Sequence, residues 1–457
     1  MNFKIKLLSV IIFPIIVLLN NSLTFAQLSI NNLKLKNRDK QETYKLNTSV
    51  TDSDSAKKFG KYTPNAGFKI LETENGDVNF SIFSYIRYLN QNGLDATYTN
   101  SFGDTSLIRD RNDIQVNKVN IKFFGWFMDP KFRYLFYVWT SNTALGQSSQ
   151  VVVAGNLQYN LNEHFTFGAG INALPGVRTT EGNFPFWLPV DNRLIADEYF
   201  RPSYTTGLWA KGKVTDRLTY NAMVGNNLSQ FGIDAGQLDA SLKTFSGALD
   251  WFPTTGEFGL NSGFGDFENH NKAATRLAGH FTYSEEDIQS QPTSDNFDNV
   301  QLRLSDGSVL FKPDLFGNGI RIRNANYKMT SVDYGIKYKG FALEGEFYWR
   351  WLSNFTGPGT DSLDINLIKD NGFQVMTSYM IIHQRLQAFT TFSQVFGDYG
   401  NPWEARIGLN YFPWKNQAVR WNIEYIQIYR SPVGGLSVPY PIGGTGGIFN
   451  TDFMVNF

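Results

Sequence analysis

The 457-residue chain has no cysteine at all. That excludes a secreted disulfide framework and every thiolate-ligated metal site. Histidine is scarce, with four residues, and net charge is missing, with 41 basic against 41 acidic side chains. Such balance gives no electrostatic reason to expect nucleic acid as a partner. Zinc-ligand spacing, the phosphate-cradling Walker loop and the dinucleotide-binding glycine fingerprint are absent too. Beyond the first two dozen residues, no apolar run approaches the ~20 residues that a membrane-crossing helix needs.

Aromatic residues are abundant. They make up 16% of the chain, with 39 Phe, 22 Tyr and 10 Trp, in a composition that is otherwise polar. A transmembrane β-barrel resolves that conflict, because its lumen is wet while its outer wall and interfacial girdles consume rings.

The first residues, "MNFKIKLLSVIIFPIIVLLNNSLTFAQ", place Lys4 and Lys6 ahead of an apolar run from Leu7 to Leu19 and small residues before Gln27. This is the pattern of a cleaved secretory leader over residues 1–26. Its removal leaves a charge of about −2. Residues 27–66 are polar without sustained periodicity and read as a flexible extension. Residues 67–457 carry the strand signal, so the expected organisation is leader, extension and barrel domain.

The strand signal is a two-residue alternation. In "VNFSIFSYIRYL", Val78, Phe80, Ile82, Ile86 and Tyr88 share one face while Asn79, Tyr85 and Arg87 share the other. "NKVNIKFFGWF" sets Val119, Ile121, Phe123 and Phe127 against Lys118, Asn120 and Lys122. Short links such as "MDPK", "NLNEH", "VTDR", "KYKGF" and "FPWKNQ" alternate with long polar connections, which is the hairpin rhythm of an up-and-down barrel. Candidate strands begin near Val78, Asn117, Phe132, Val151, Phe165, Thr205, Leu218, Thr244, Ala274, Met329, Phe341, Phe373, Leu386, Trp403, Val419 and Ile448. The fold class is therefore all-β: a transmembrane antiparallel up-and-down barrel of about sixteen strands, with long external loops and short periplasmic turns. The expected location is the outer membrane of a Gram-negative-type bacterium, reached by export.

The polar faces are where function is expected. "FALEGEFYWRWL" turns Glu344, Glu346, Tyr348 and Arg350 one way, "WEARIGLNYF" repeats this with Glu404, Arg406 and Asn410, and "VRWNIEY" with Arg420, Asn422 and Glu424. Lipid disfavours such groups, so they must face water or each other. One connection, Ala173 to Tyr204, is too apolar for a solvated tip, and its expected place is the lumen. There it would carry Arg178, Arg193 and Arg201 toward a passing solute, where guanidinium groups suit anions. With Lys118, Lys122, Arg350, Arg406 and Arg420, these form the expected pore-lining and anion-binding set.

At this loop the sequence resembles a known family. "LPVDNRLIADEYFRPSYTTGLWAKGKVTDRLTYNAMVGNNL", "GLNYFPWKNQAVRWNIEYIQ" and "YKGFALEGEFYWRW" are similar to segments of the phosphate-selective porin O and P family. The resemblance implies a sixteen-stranded outer-membrane porin, commonly a homotrimer, that favours anions such as phosphate. By position Arg193 matches the family's loop arginine, with Arg201 and Lys211 close by. Acids Asp191, Asp197 and Glu198 share the loop, which departs from a purely basic lining.

Catalysis is not expected, nor is a cofactor or bound metal. His280 is the only histidine within a strand, and its parity with Arg276 and Ala278 points it inward, where a lone histidine is a wall residue. Two functional classes remain: a diffusion porin for small hydrophilic solutes or anions, and a barrel plugged by its loops that binds a ligand or protein partner. The last residues, "NTDFMVNF" with the preceding Phe449, alternate apolar Phe449, Phe453, Val455 and Phe457, Thr451 apart, with polar Asn450, Asp452 and Asn456, and Met454 is out of pattern. Such a strand belongs between lipid and channel water, and its terminal Phe457 resembles the signal by which outer-membrane barrels engage their assembly machinery.

Overall fold

The computed structural model describes residues 60–141, 150–230, 241–289, 302–435 and 438–457. The expected leader and residues 27–59 of the extension lie outside the described residues. Sixteen strands form one antiparallel sheet. They are β1 Gly76–Leu94, β2 Asn112–Phe127, β3 Asp129–Ser141, β4 Gln150–Asn162, β5 Phe165–Ala173, β6 Tyr204–Thr215, β7 Leu218–Gly225 and β8 Thr244–Trp251. The second half comprises β9 Ala274–Asp287, β10 Asn324–Tyr338, β11 Phe341–Thr356, β12 Leu367–Ile382, β13 Leu386–Phe396, β14 Trp403–Tyr411, β15 Val419–Tyr429 and β16 Gly446–Asn456. Each strand pairs with its sequence neighbour, and β16 pairs with β1 through Thr451 opposite Tyr88 and Asp452 opposite Arg87. Closure removes the unpaired edges that an open sheet of this size would present.

The seam is pinned at its end. The Phe457 amide donates to the Ile82 carbonyl at 2.9 Å, and the Phe457 ring meets Phe68 edge-on at 6.0 Å. Phe68 belongs to a short hairpin, Tyr62–Thr63 with Gly67–Thr73, that adds to the lower end of β1.

Alternation is clean along β16: Phe449 and Phe453 are exposed, while Asn450, Asp452 and Asn456 are buried on the inner face. Met454 follows the same inward register and packs with Phe83, Tyr85 and Val190, because here the barrel holds protein rather than water. Outward rings run from strand to strand, as in the chain Phe347, Phe373, Phe392, Trp403 and Tyr429. β2 contains a bulge opposite Tyr85 and Ile86, so that both Asn117 and Lys118 face the lumen.

Two connections break the simple rhythm. The link between β13 and β14, on the side of the long loops, spans only residues 397–402. Between β8 and β9, on the side of the short turns, residues 252–273 form a long excursion. In addition, β10 and β12 begin at Asn324 and Leu367, several residues before the Met329 and Phe373 expected from hydropathy. Lys328 and Lys369 interrupt the apolar pattern there.

Candidate functional site

The lumen is the candidate site. The connection between β5 and β6, residues 174–203, folds into it and is buried almost throughout. A short helix α1, Ile195–Phe200, starts against the wall: the Ile195 amide donates to Glu404 at 2.8 Å and the Ala196 amide to the Ser393 hydroxyl at 2.9 Å. Both are amides of a helix's first turn, which have no partner within the helix.

The arginines of this segment act as staples. Arg178 pairs with Glu344 of β11 and stacks on the Phe264 ring at 3.9 Å. Arg193 contacts Asp197 at 3.2 Å, Glu198 at 3.5 Å and the face of Trp187 at 4.5 Å. Arg201 holds Glu198 through its Nε at 2.7 Å. Acids within the loop thus neutralise Arg193 and Arg201 where they stand, and the wall acid Glu344 does so for Arg178.

Wall arginines do the same from the other side. Arg350 pairs with Asp370 at 2.6 Å beneath the Tyr199 ring. Arg406 pairs with Glu404 at 2.8 Å and donates to the Arg193 carbonyl at 2.6 Å. Arg420 grips the backbone carbonyl of Trp187 at 2.5 Å. All six arginines of the expected set are buried. A buried guanidinium is tolerated only with such partners.

A second segment enters from the opposite end. Residues 252–273 carry Phe252, Phe258, Phe264 and Phe267 inward. Lys337 of β10 donates to the carbonyls of Phe258 at 2.8 Å and Gly263 at 2.6 Å. The two inserts meet where the Phe264 amide donates to the Phe186 carbonyl at 2.7 Å, and Phe264 joins a cluster with Trp187, Leu188 and Leu194. Glycine is required at this junction: a Cβ on Gly263 would lie 2.6 Å from that of Phe186. Above the meeting point, Leu304, Leu310 and Phe311 pack with Phe200, Val433 and Tyr440 toward the long-loop mouth.

The sequence offered one signal for the second insert that alternation missed, namely four phenylalanines in a glycine-rich connection. Sequence reasoning also missed a charge cluster on the wall near it. Arg276 contacts Glu181, Asp250 and Asp333, and the His280 Nε2 lies 2.8 Å from Asp333. His280 is thereby a buried partner within an ion network.

The other side of the lumen differs. Lys118 is anchored to Asp191 at 2.6 Å, but Lys122, Arg133 and Lys211 have no acidic partner among the described residues, and Lys211 has only the Trp209 ring at 5.3 Å. Arg133 and Lys211 are exposed, and Lys122, Asn156, Gln158 and Asn160 are half-buried on the inward register. Strands β4, β5, β6 and β7 contain no Asp or Glu at all. The structure therefore separates the expected site residues: six arginines in the filled side, Lys118 at its margin, and Lys122 and Lys211 on the solvent-accessible wall.

No family model matches the chain, and no curated protein matches it. Among solved structures, the chain is similar to the outer-membrane channel DcaP of Acinetobacter baumannii, at 11% identity and a TM-score of 0.52 over 86% of this chain and 100% of that one. An anion-selective porin from Comamonas acidovorans aligns at 9% identity with a TM-score of 0.49, covering 83% of this chain and 99% of that one. The likeness to the first establishes a shared sixteen-stranded barrel fold of the porin type.

Proposed function

We propose that the protein is an outer-membrane porin whose aqueous path is narrow and runs along the β2–β7 wall, favouring small hydrophilic anions over cations. The observation that carries this reading is the charge asymmetry of the lumen. Where acids and bases alternate, they neutralise one another under inserted chain. Where strands β4–β7 supply no acid, Lys122, Arg133 and Lys211 keep uncompensated charge in contact with solvent. Cationic walls raise the local concentration of anions through the focused field of a narrow low-dielectric passage.

The resemblance to the phosphate-selective porin O and P family makes phosphate the first anion to test. Export by the residue 1–26 leader, recognition of the Phe457 strand by barrel-assembly machinery and assembly as a homotrimer in outer-membrane lipid belong to the same reading. The protein binds and passes solute without chemical transformation.

Planar-bilayer recording tests it. Purified protein opens ion-conducting channels whose reversal potential in a KCl gradient is that of an anion-preferring pore. Lys122→Glu with Lys211→Glu moves that potential toward cation preference. Conductance without any shift in the double variant would remove these lysines from the path. A second reading is favoured by the junction of Phe186 with Phe264: a barrel closed by its two inserts. Correctly folded protein that stays silent in bilayers would decide for that one.

A further inference from the structure

The outer wall carries an anomaly. Along the sixteen strands, lysines and arginines fall on the inward register, from Arg87 on β1 to Arg420 on β15. Two do not. Lys328 of β10 and Lys369 of β12 are exposed on the outward register. They are not scattered: Lys328 lies directly opposite Trp351 of β11, and Trp351 directly opposite Lys369. Tyr283 of β9 extends the row on the other side, its ring 5.8 Å from the Lys328 ammonium.

The row sits at one height of the wall. Ten residues along from Lys328 is the exposed Tyr338, and ten along from Lys369 is the exposed Tyr379. Ten residues of a tilted strand rise about 25 Å, the height of the apolar band of an outer-membrane barrel. The lysines therefore mark the upper boundary of that band and the tyrosines the lower one. The upper end is the end of the long loops, hence the outer leaflet.

Two ammonium groups two strands apart, roughly 10 Å between backbones, repel each other. Neither forms an ion pair among the described residues. The outward acids, Glu285 and Asp287, stand further up β9, where Glu285 accepts the Tyr283 hydroxyl at 3.0 Å. A flat indole between two flexible cations at headgroup depth suits an anion that arrives from the lipid side.

We infer that Lys328, Trp351 and Lys369 form a docking site for the phosphorylated headgroup of an outer-leaflet lipid. The phosphate sits between the two ammonium groups, and the sugar or glycerol backbone of the lipid lies on the Trp351 ring. This inference rests on the outer-membrane placement proposed above, but it does not depend on the barrel conducting.

The test uses full-length protein in detergent micelles, with diphosphorylated lipid A and its dephosphorylated form as probes and native mass spectrometry as the readout. Wild-type protein retains the phosphorylated lipid in preference to the dephosphorylated one. Lys328→Gln with Lys369→Gln lowers that retention about tenfold. Lys339→Gln, which removes an exposed lysine resting on Tyr338 at the opposite boundary, leaves it unchanged.

Equal retention by the wild type and the Lys328/Lys369 variant would overturn the assignment, as would displacement of the lipid by equimolar inorganic phosphate. A variant that loses its oligomeric state but not its lipid would show that the row serves a subunit contact instead. Because micelle binding needs no channel activity, silent bilayers with intact lipid discrimination would sink only the porin reading. Conducting channels without discrimination would sink only this one.

Discussion

The two sides of the lumen are built on the same sheet and end in different states. From β9 round to β1, inward acids and bases pair across neighbouring strands, as Arg350 with Asp370 and Arg87 with Asp452, or two residues apart on one strand, as Arg406 with Glu404. Each pair leaves hydrogen-bonding capacity over, and the inserted segments consume it, as where Arg87 also donates to the Val190 carbonyl at 2.9 Å. From β4 to β7 the strands supply inward amides and the cation Lys211 but no acid, and the buried contact of the insert with them is the packing of Leu174 against Trp209 and Met223. A mixed-sign wall recruits protein, whereas a wall of one sign recruits water and counter-ions.

The largest effect is expected from breaking the filled side where its two inserts meet. Trp187→Ala with Phe264→Ala removes two large buried rings, each worth about 3–5 kcal/mol in a well-filled core. We expect a severalfold rise in single-channel conductance and a lower apparent unfolding temperature. Unchanged conductance would mean that the junction does not obstruct the path.

Next in size is the loss of one staple. Arg178→Ala leaves Glu344 buried without its cation, a change of about 3–5 kcal/mol for a broken buried pair. Hydrogen exchange over residues 174–203 should accelerate while the strands stay protected. Adding Glu344→Gln should restore part of the protection, since the orphaned charge is then gone.

A smaller effect sharpens the comparison. Arg350→Gln should move the reversal potential less than Lys122→Gln does, although each removes one positive charge. The first side chain is buried and neutralised by Asp370, whereas the second meets solvent. Equal shifts would show that buried charges set selectivity through the bulk field of the barrel.

The fold was largely legible in the sequence because each strand lies between two solvents, and its alternation records both. The side chains of "NTDFMVNF" could be placed one by one on that ground, Met454 apart. Strand starts slipped at β10 and β12, where Lys328 and Lys369 mimic loop polarity while remaining in the sheet. The lumen was less legible. Period two says that Arg350 points inward but not whether water or chain awaits it. Arg178 is paired with Glu344, which lies far away in sequence, and the local pairing of Arg193 and Arg201 with Asp197 and Glu198 does not tell what covers those pairs. The insert at residues 252–273 was hidden because a connection has no periodicity to betray the face it buries.

The smallest predicted effect concerns the base of that insert. His270 lies outside the spanning strands, with Nδ1 at 2.5 Å from Asp266 and Nε2 at 3.2 Å from Glu257. Glu268 is nearby, and the His270 carbonyl accepts from the Lys339 amide at 2.9 Å. Burial lowers the imidazole pKa, but the hydrogen bonds and charges of Asp266 and Glu257 outweigh it and raise the value above the ordinary 6.5. A group whose pKa is raised on folding stabilises the folded state fully below its unfolded pKa and loses that contribution as pH climbs through the folded one. Anchoring of residues 257–270 should therefore be firmest below about pH 6.5 and weaken above it. Amide exchange in this segment, corrected for its intrinsic pH dependence, should quicken over that window by a factor on the order of tenfold or less. His270→Gln should flatten the dependence while exchange in residues 174–203 keeps its own profile. If both inserts lost protection together at raised pH, the two sides of the junction would be one cooperative unit, and the filled side would open as a whole.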